Sequence, residues 1–435
     1  MIARRWWADG NHPYGPNADD HFSAPHGLVD AASGLDALLA TLHGGIRTST
    51  LRTAGLRASG PGSAAGGGAG ERGCPHQDLS RAFEARLWEI AHRLRTQPLP
   101  FLLSTPTWST GLLEPDELVE RLDTYGRLCA RVAPADFAQA LLRVRRADRA
   151  VARRAARRAA GLGTAEGAWL AAWLTAPAPV PTVSQRTPGP HVLVEYGEIP
   201  QLREAFPAPF SALGQPVSEA GQRWYCYHGR GGMAEHWLAL LPELPEPVAA
   251  RMLRDLSAGA VDDARGAAEV LPRLAETDGE PGEAVHLCVA YGLGARHPED
   301  RLAAVDALLV LAARGRLDAG LLGSGLGELV RDGAVKALRL AESVRTAAST
   351  GANATIWGVL RHTLPALLAG LGTGRAAPPV RGLGDLLAVA AECAERSGAR
   401  GELPHLDGAA DRGGSSRLVT QARRLRTALT EEVAA

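Results

Sequence analysis

Residues Pro298–Thr350 read PEDRLAAVDALLVLAARGRLDAGLLGSGLGELVRDGAVKALRLAESVRTAAST. Three Leu/Ala-rich segments follow one another here, each with aliphatic residues at helical spacing and each stopped by Gly, Pro or Asp. The same alternation runs outward in both directions, from about Glu243 to Ser397. It predicts helices over 232–241, 245–257, 261–275, 283–293, 298–314, 318–331, 333–348, 353–370 and 382–397. Arg301 to Arg314 carries six large aliphatics (Leu302, Val305, Leu308, Leu309, Val310, Leu311), too few to offset the ordering of a lone helix, so neighbours have to bury it. Alternate starts at His297, Gly333 and the 379–382 region lie about 35 to 48 residues apart, the step expected of stacked helix pairs. The reading is all-α: an α-α superhelix of HEAT-like repeats, with a small irregular or β insertion around 188–228. Arrays of this kind are usually binding scaffolds.

Composition narrows the chemistry. The chain has 435 residues, 46% of them hydrophobic, with 47 basic residues against 47 acidic, so no global field draws it to nucleic acid or to a charged membrane. Lys336 is the only lysine and the other basic residues are arginine. A P-loop is therefore absent, and lysine chemistry has one candidate on an ordinary amphipathic segment. The five cysteines, Cys74, Cys129, Cys226, Cys288 and Cys393, form no CxxC pair, which fits a reducing cytoplasm better than a disulfide framework. The longest apolar stretch, Leu302 to Ala313, is interrupted by Asp306 and is too short to span a bilayer. We expect a cytoplasmic protein without cofactor, metal or membrane association.

Six segments follow from punctuation. Residues 1–57 have uneven character, with one helical pattern over Leu28–Leu42, and 58–78 form a Gly/Ala/Ser-rich linker. Residues 79–175 form a helical domain. It opens with a helix over Leu79–Arg95 and an extended run over Leu99–Leu103; helix starts at Pro115 and Pro134 follow, then a short helix over Ala165–Thr175. The 176–222 connection is Pro-rich and holds one strand pattern, HVLVEYGEI at His191–Ile199, without a visible partner. The array occupies 223–400, and a loop and helix occupy 401–435.

The run Pro100–Leu122, PFLLSTPTWSTGLLEPDELVERL, resembles the P-L-L-S/A-T-P-T, G, P, L-V-x-R-L pattern of a bacterial domain-of-unknown-function family of large HEAT-like helical proteins. Arg86–Ile90, His236–Leu241, His286–Arg301 and Thr355–Leu368 look like the C-terminal half of that family, so the resemblance covers roughly residues 80 to 400. It implies helical-repeat architecture, a chain that corresponds to the C-terminal part of a longer scaffold, and a genomic setting near SWIM zinc-finger proteins. No catalytic residue is established for that family, so none carries over.

Two stretches are candidate binding surfaces. In the Ser104–Gly111 loop, Thr105, Pro106, Thr107 and Trp108 combine hydroxyls with apolar anchors that could hold a ligand or a partner's backbone; turn and cap chemistry is the bland alternative. From Arg143 to Arg158 eight arginines fall within sixteen residues. Read as one helix, this segment sets Arg146, Arg149, Arg153 and Arg157 in a stripe that could meet a protein partner's acids or, as the alternative function, nucleic-acid phosphates; a solvated helix face is the bland reading. Cys226, His228, Glu235 and His236 offer metal-ligand types at a spacing that matches no zinc motif, as do His12, Asp19, Asp20, His21 and His26. Gly323-Ser-Gly-Leu-Gly327 shares only composition with phosphate loops and reads as an interrupted or bent helix.

Overall fold

A computed structural model describes residues 103–108, 110–177, 183–189, 191–196, 238–239, 241–261, 267–371 and 379–430. The segments expected at 1–57, 58–78 and 79–95, the run 99–102, most of the 232–241 helix and the Cys226–His236 group lie outside the described residues. So does the His12–His26 group. The protein is mostly helical, and a two-stranded hairpin is the only sheet among the described residues. The chain divides into two compact units, 1–178 with 198–243, and 179–197 with 244–435.

In the first unit, α1 (Pro115–Arg127) begins with Pro at the first helical position and with Asp116 and Glu117 at the positive end of its dipole. It buries Leu118, Val119, Leu122 and Tyr125. Helix α2 (Pro134–Arg143) starts the same way. The chain then leaves helical geometry: Leu113 and Val144 form a parallel bridge, with Leu113 N–H donating to Arg143 O and Arg145 N–H to Leu113 O, both at 2.9 Å. Asp148 restarts the helix by accepting the N–H groups of Ala150 and Val151, so α3 runs Arg149–Ala160. Thr164 caps α4 (Ala165–Thr175) through Gly167 N–H.

The buried face of α3 is all alanine, Ala152, Ala155, Ala156 and Ala159, and α4 meets it closely. A Cβ at Gly167 would lie 2.4 Å from Ala159 O, so glycine there is a packing requirement. These helices share a core with Leu103, Leu113, Leu141, Leu170 and Leu174.

In the second unit, β1 (Val183–Thr187) pairs antiparallel with β2 (Leu193–Tyr196), with a register irregularity between Val183 and Gln185. The expected strand thus has a partner, drawn from the stretch read as Pro-rich connection. Helix α5 is Pro245–Val261. The single helix expected over 261–275 is instead a 3-10 turn, Ala267–Val270, and a short α6, Leu271–Glu276; Pro272 cannot donate to the preceding turn, so a new helix begins around it.

Helix α7 (Glu283–Leu293) is buried on every side from Ala284 to Leu293. Then follow α8 (Pro298–Ala313), α9 (Ala319–Arg331), α10 (Ala337–Ser349), α11 (Asn353–Leu368), α12 (Leu383–Ser397), α13 (Leu406–Ala410) and α14 (Arg417–Thr430). Helix α10 starts later than the pattern predicts because Gly333, at φ +85°, turns the chain out of α9, and Val335 N–H returns to Leu329 O.

Alternate helices pack on each other. One row is α5, α7, α9 and α11; the other is α6, α8, α10 and α12, with α14 against α12. Gly323, Gly325 and Gly327 lie inside an uninterrupted α9, which corrects the expected break. A Cβ at Gly323 would sit 2.4 Å from Val359 O, and one at Gly327 2.9 Å from Thr363 O, so these glycines let α9 approach the backbone of α11.

Candidate binding surfaces

The Ser104–Gly111 loop is organised from beneath. Asp136 on α2 is buried, and its carboxylate accepts Leu103 N–H at 2.7 Å, Ser104 N–H at 3.1 Å and Ser104 Oγ–H at 2.5 Å. Arg121 donates to the carbonyls of Leu103 (3.0 Å) and Thr105 (2.5 Å), and Arg143 to that of Ser104 (2.7 Å). Thr107 Oγ1 accepts Glu114 N–H at 2.9 Å, at the head of α1, and Trp108 Nε1 donates to Glu114 Oε1 at 2.7 Å. Gly111 holds φ +95°, and a Cβ there would lie 2.2 Å from Ala239 O. The hydroxyls of Ser104 and Thr107 are therefore committed to the turn. Thr105 and Pro106 are half-buried, and the Trp108 ring is half-exposed.

The arginine stripe divides. Arg146 precedes α3 and is 4% exposed. Its guanidinium stacks 4.5 Å above the Trp173 ring, donates to Trp173 O at 3.5 Å and lies 4.0 Å from Glu243. Burial lowers its pKa, and the Glu243 charge opposes that. Arg146 therefore does not continue the row of Arg149, Arg153 and Arg157, because residues 144–148 interrupt the helix. On α3 itself one edge is neutralised. Arg154 and Arg158 grip Asp116 on α1 at 2.7 and 2.8 Å, and Arg158 reaches Glu120 at 3.5 Å. The Arg154 hydrogen bond, opposed by partial burial and helped by Arg158, draws the Asp116 carboxyl below the usual aspartate range.

On the other edge Arg149 donates to Ala176 O at 3.3 Å. Arg153 and Arg157 are exposed and form no ion pair among the described residues. They flank a shallow depression of about 350 Å³ between α3 and α4, floored by Ala156, Ala160, Ala171 and Ala172 and closed by Thr175.

Two segments of the chain match domain families of unknown function. Residues 71–175 match the family model described as Domain of unknown function (DUF7824), and residues 217–368 match Domain of unknown function (DUF7825). The first match takes in the Pro100–Leu122 run, the Ser104 loop and the α3–α4 depression; the second extends to the end of α11. No curated protein and no solved structure matches the chain.

A further polar cluster gathers at the start of α7. Glu246, in the first turn of α5 and almost fully buried, accepts the N–H groups of Gly282 (2.6 Å), Ala284 (2.9 Å) and Val285 (3.0 Å), and the Tyr196 hydroxyl from β2. It thereby neutralises the orphan donors and positive dipole of the α7 N-terminus. Burial first, and then the Glu246 charge, push the Tyr196 hydroxyl far up. Arg186 on β1 bridges Glu283 and Glu328, each at 2.5 Å, and Tyr291 donates to Val192 O at 3.1 Å. His286 sits between Gly282 O (2.6 Å) and Asp318 N–H (3.0 Å). These contacts fasten the hairpin and the helix ends. Among the described residues no three His, Cys, Asp or Glu side chains gather as a metal site, and no helix is long and apolar enough to cross a membrane.

Proposed function

We propose that the chain is a cytoplasmic HEAT-like scaffold that holds a protein partner on an extended helical surface. The observation that carries the reading is the alternate packing of α5 to α12 in two rows. Such an arrangement buries each helix against its neighbours in the row and leaves the outer sides of both rows as surface. The polar clusters in both units support it, since Asp136, Asp116, Glu246 and the Tyr196 hydroxyl each tie one element to another. The test is affinity purification of the intact chain from its native cell, followed by reconstitution with the purified candidate. The expected result is a complex of fixed stoichiometry; the idea fails if no partner co-purifies reproducibly while turnover of a small substrate does.

Nucleic-acid binding through the Arg143–Arg158 segment is the second reading, favoured only by Arg153 and Arg157, which are exposed and without an ion pair among the described residues. With Arg146 buried and Arg154 and Arg158 neutralised, few phosphates could be met. Mobility shifts across a salt series decide it: binding with a steep salt slope that Arg149→Glu, Arg153→Glu and Arg157→Glu abolish would support this reading over the first.

A further inference from the structure

The outward face of α4 is apolar. Leu170 and Leu174 point into the core, while Ala168, Trp169 and Ala172 are exposed, Trp169 at 65%. Trp169, one turn before Ala172, is exposed on the flank of α4 beside the depression and is not among the residues that line it. The opposite wall is α3, where Arg153 and Arg157 stand one helical turn apart without carboxylate partners among the described residues. On the other edge of the same helix, two arginines are matched by acids of α1. Among the described residues the α4 edge therefore presents unneutralised positive charge beside exposed apolar surface.

We propose that this groove docks an acidic amphipathic helix supplied by a protein partner. Four alanines on the floor let a third helix approach closely, as a ridge seated between two others. Carboxylates at i and i+4 of the incoming helix lie about 6 Å apart, the same step as the two arginines. Trp169 supplies the large, rigid apolar contact typical of an interface anchor. An oligonucleotide fits the chemistry less well, because alanines neither stack with bases nor hydrogen-bond their edges. The inference rests on the scaffold reading and names the partner class for one surface of it.

The probe is a fluorescent synthetic peptide of about 16 residues with Glu at i, i+4 spacing on one face and Leu/Ala on the other, titrated by anisotropy against the full chain. A scrambled peptide of equal composition and a single-stranded oligonucleotide serve as comparisons. The expected result is saturable binding of the amphipathic peptide alone, weakened about tenfold or more by Arg153→Glu with Arg157→Glu and by Trp169→Ala. Arg345→Glu with Arg361→Glu, which reverses two exposed charges on α10 and α11, should leave it unchanged. Arg153→Gln with Arg157→Gln replaces the reversal pair if thermal melting shows that the reversal disturbs folding. Equal binding of the scrambled peptide, tighter binding of the oligonucleotide, or no binding would overturn the proposal. If a native partner stays bound to the Arg153→Glu, Arg157→Glu chain, the groove assignment falls and the scaffold reading stands; if no partner is found at all, the scaffold reading falls.

Discussion

Replacing Glu246 by Ala should be among the most costly single changes in the second unit. The side chain is 4% exposed and serves four donors: three backbone N–H groups at the start of α7 and the Tyr196 hydroxyl. Hydrogen bonds to a charged group contribute about 1.5 to 3 kcal/mol each, and buried donors left without an acceptor lose about 1 to 3 kcal/mol apiece. Local relaxation and water entry make these losses less than additive, so the expected total is about 3 to 5 kcal/mol, near the cost of breaking a buried charged contact. For a unit of roughly 200 residues that corresponds to a fall in melting temperature of about 10 °C. Tyr196→Phe removes one donor, leaves the carboxylate serving the helix, and should cost only about 1 kcal/mol. Urea and thermal unfolding followed by circular dichroism would measure both. Hydrogen exchange would localise the effect, with faster exchange at Gly282, Ala284 and Val285 in Glu246→Ala. A loss below about 1 kcal/mol, or unchanged exchange at those amides, would refute the assignment of Glu246 as the cap of α7.

Arg146→Ala should cost about 3 kcal/mol, because it strips the Trp173 ring of its stacked cation and leaves Glu243 buried without that charge nearby; Arg153→Ala should stay within about 0.5 kcal/mol. Unfolding in urea at low and high salt checks both, and the Arg146 effect should persist at high salt. Asp116 has a folded pKa below its unfolded value, so its contribution is fully present above the unfolded value of about 3.9 and is lost as pH falls through the folded one. The urea midpoints of the wild-type chain and Asp116→Asn should therefore differ at pH 5 and converge on acidification; a constant gap would contradict the pairing with Arg154 and Arg158. Cys129 is exposed, Cys288 is buried with its thiol pushed up, and burial takes Cys393 up to about 11. With Cys74 and Cys226 replaced by Ser, one thiol should react with a disulfide reagent at pH 8 in the native chain and two more only on unfolding.

Much of the second unit was legible because its helices are punctuated by residues with fixed backbone consequences. Pro245, Pro298 and the Gly333 turn mark boundaries whatever the tertiary context. Legibility failed where a residue type has two physical uses. Glycines at 323, 325 and 327 lower helix propensity in isolation, yet inside α9 the missing side chains at 323 and 327 let α11 come close, and the one at 325 faces Leu287 of α7. Pro272 was absorbed into a periodic pattern although it forces a new helix to begin. The hairpin was half seen, since Val183–Thr187 is polar and lies among prolines, and its pairing with Leu193–Tyr196 is set by tertiary contacts through Arg186 and Tyr196.

The arginine segment shows how a binding surface is misread by extending a period. Spacing alone places Arg146 one turn before Arg149, and only the cap at Asp148 reveals that the helix starts after it. That local signal was present in the sequence, whereas the neutralisation of Arg154 and Arg158 was not, because their partner Asp116 lies 38 and 42 residues away on another helix. A count of arginines thus overstates the charge available to a partner. What remains on α3 is set by which edge faces α1 and which faces α4, and only the α4 edge leaves cations beside apolar floor. If the proposed docking holds, its selectivity would come from Arg153 and Arg157 together with Trp169, since neither exposed charge nor a lone exposed ring would select a partner alone.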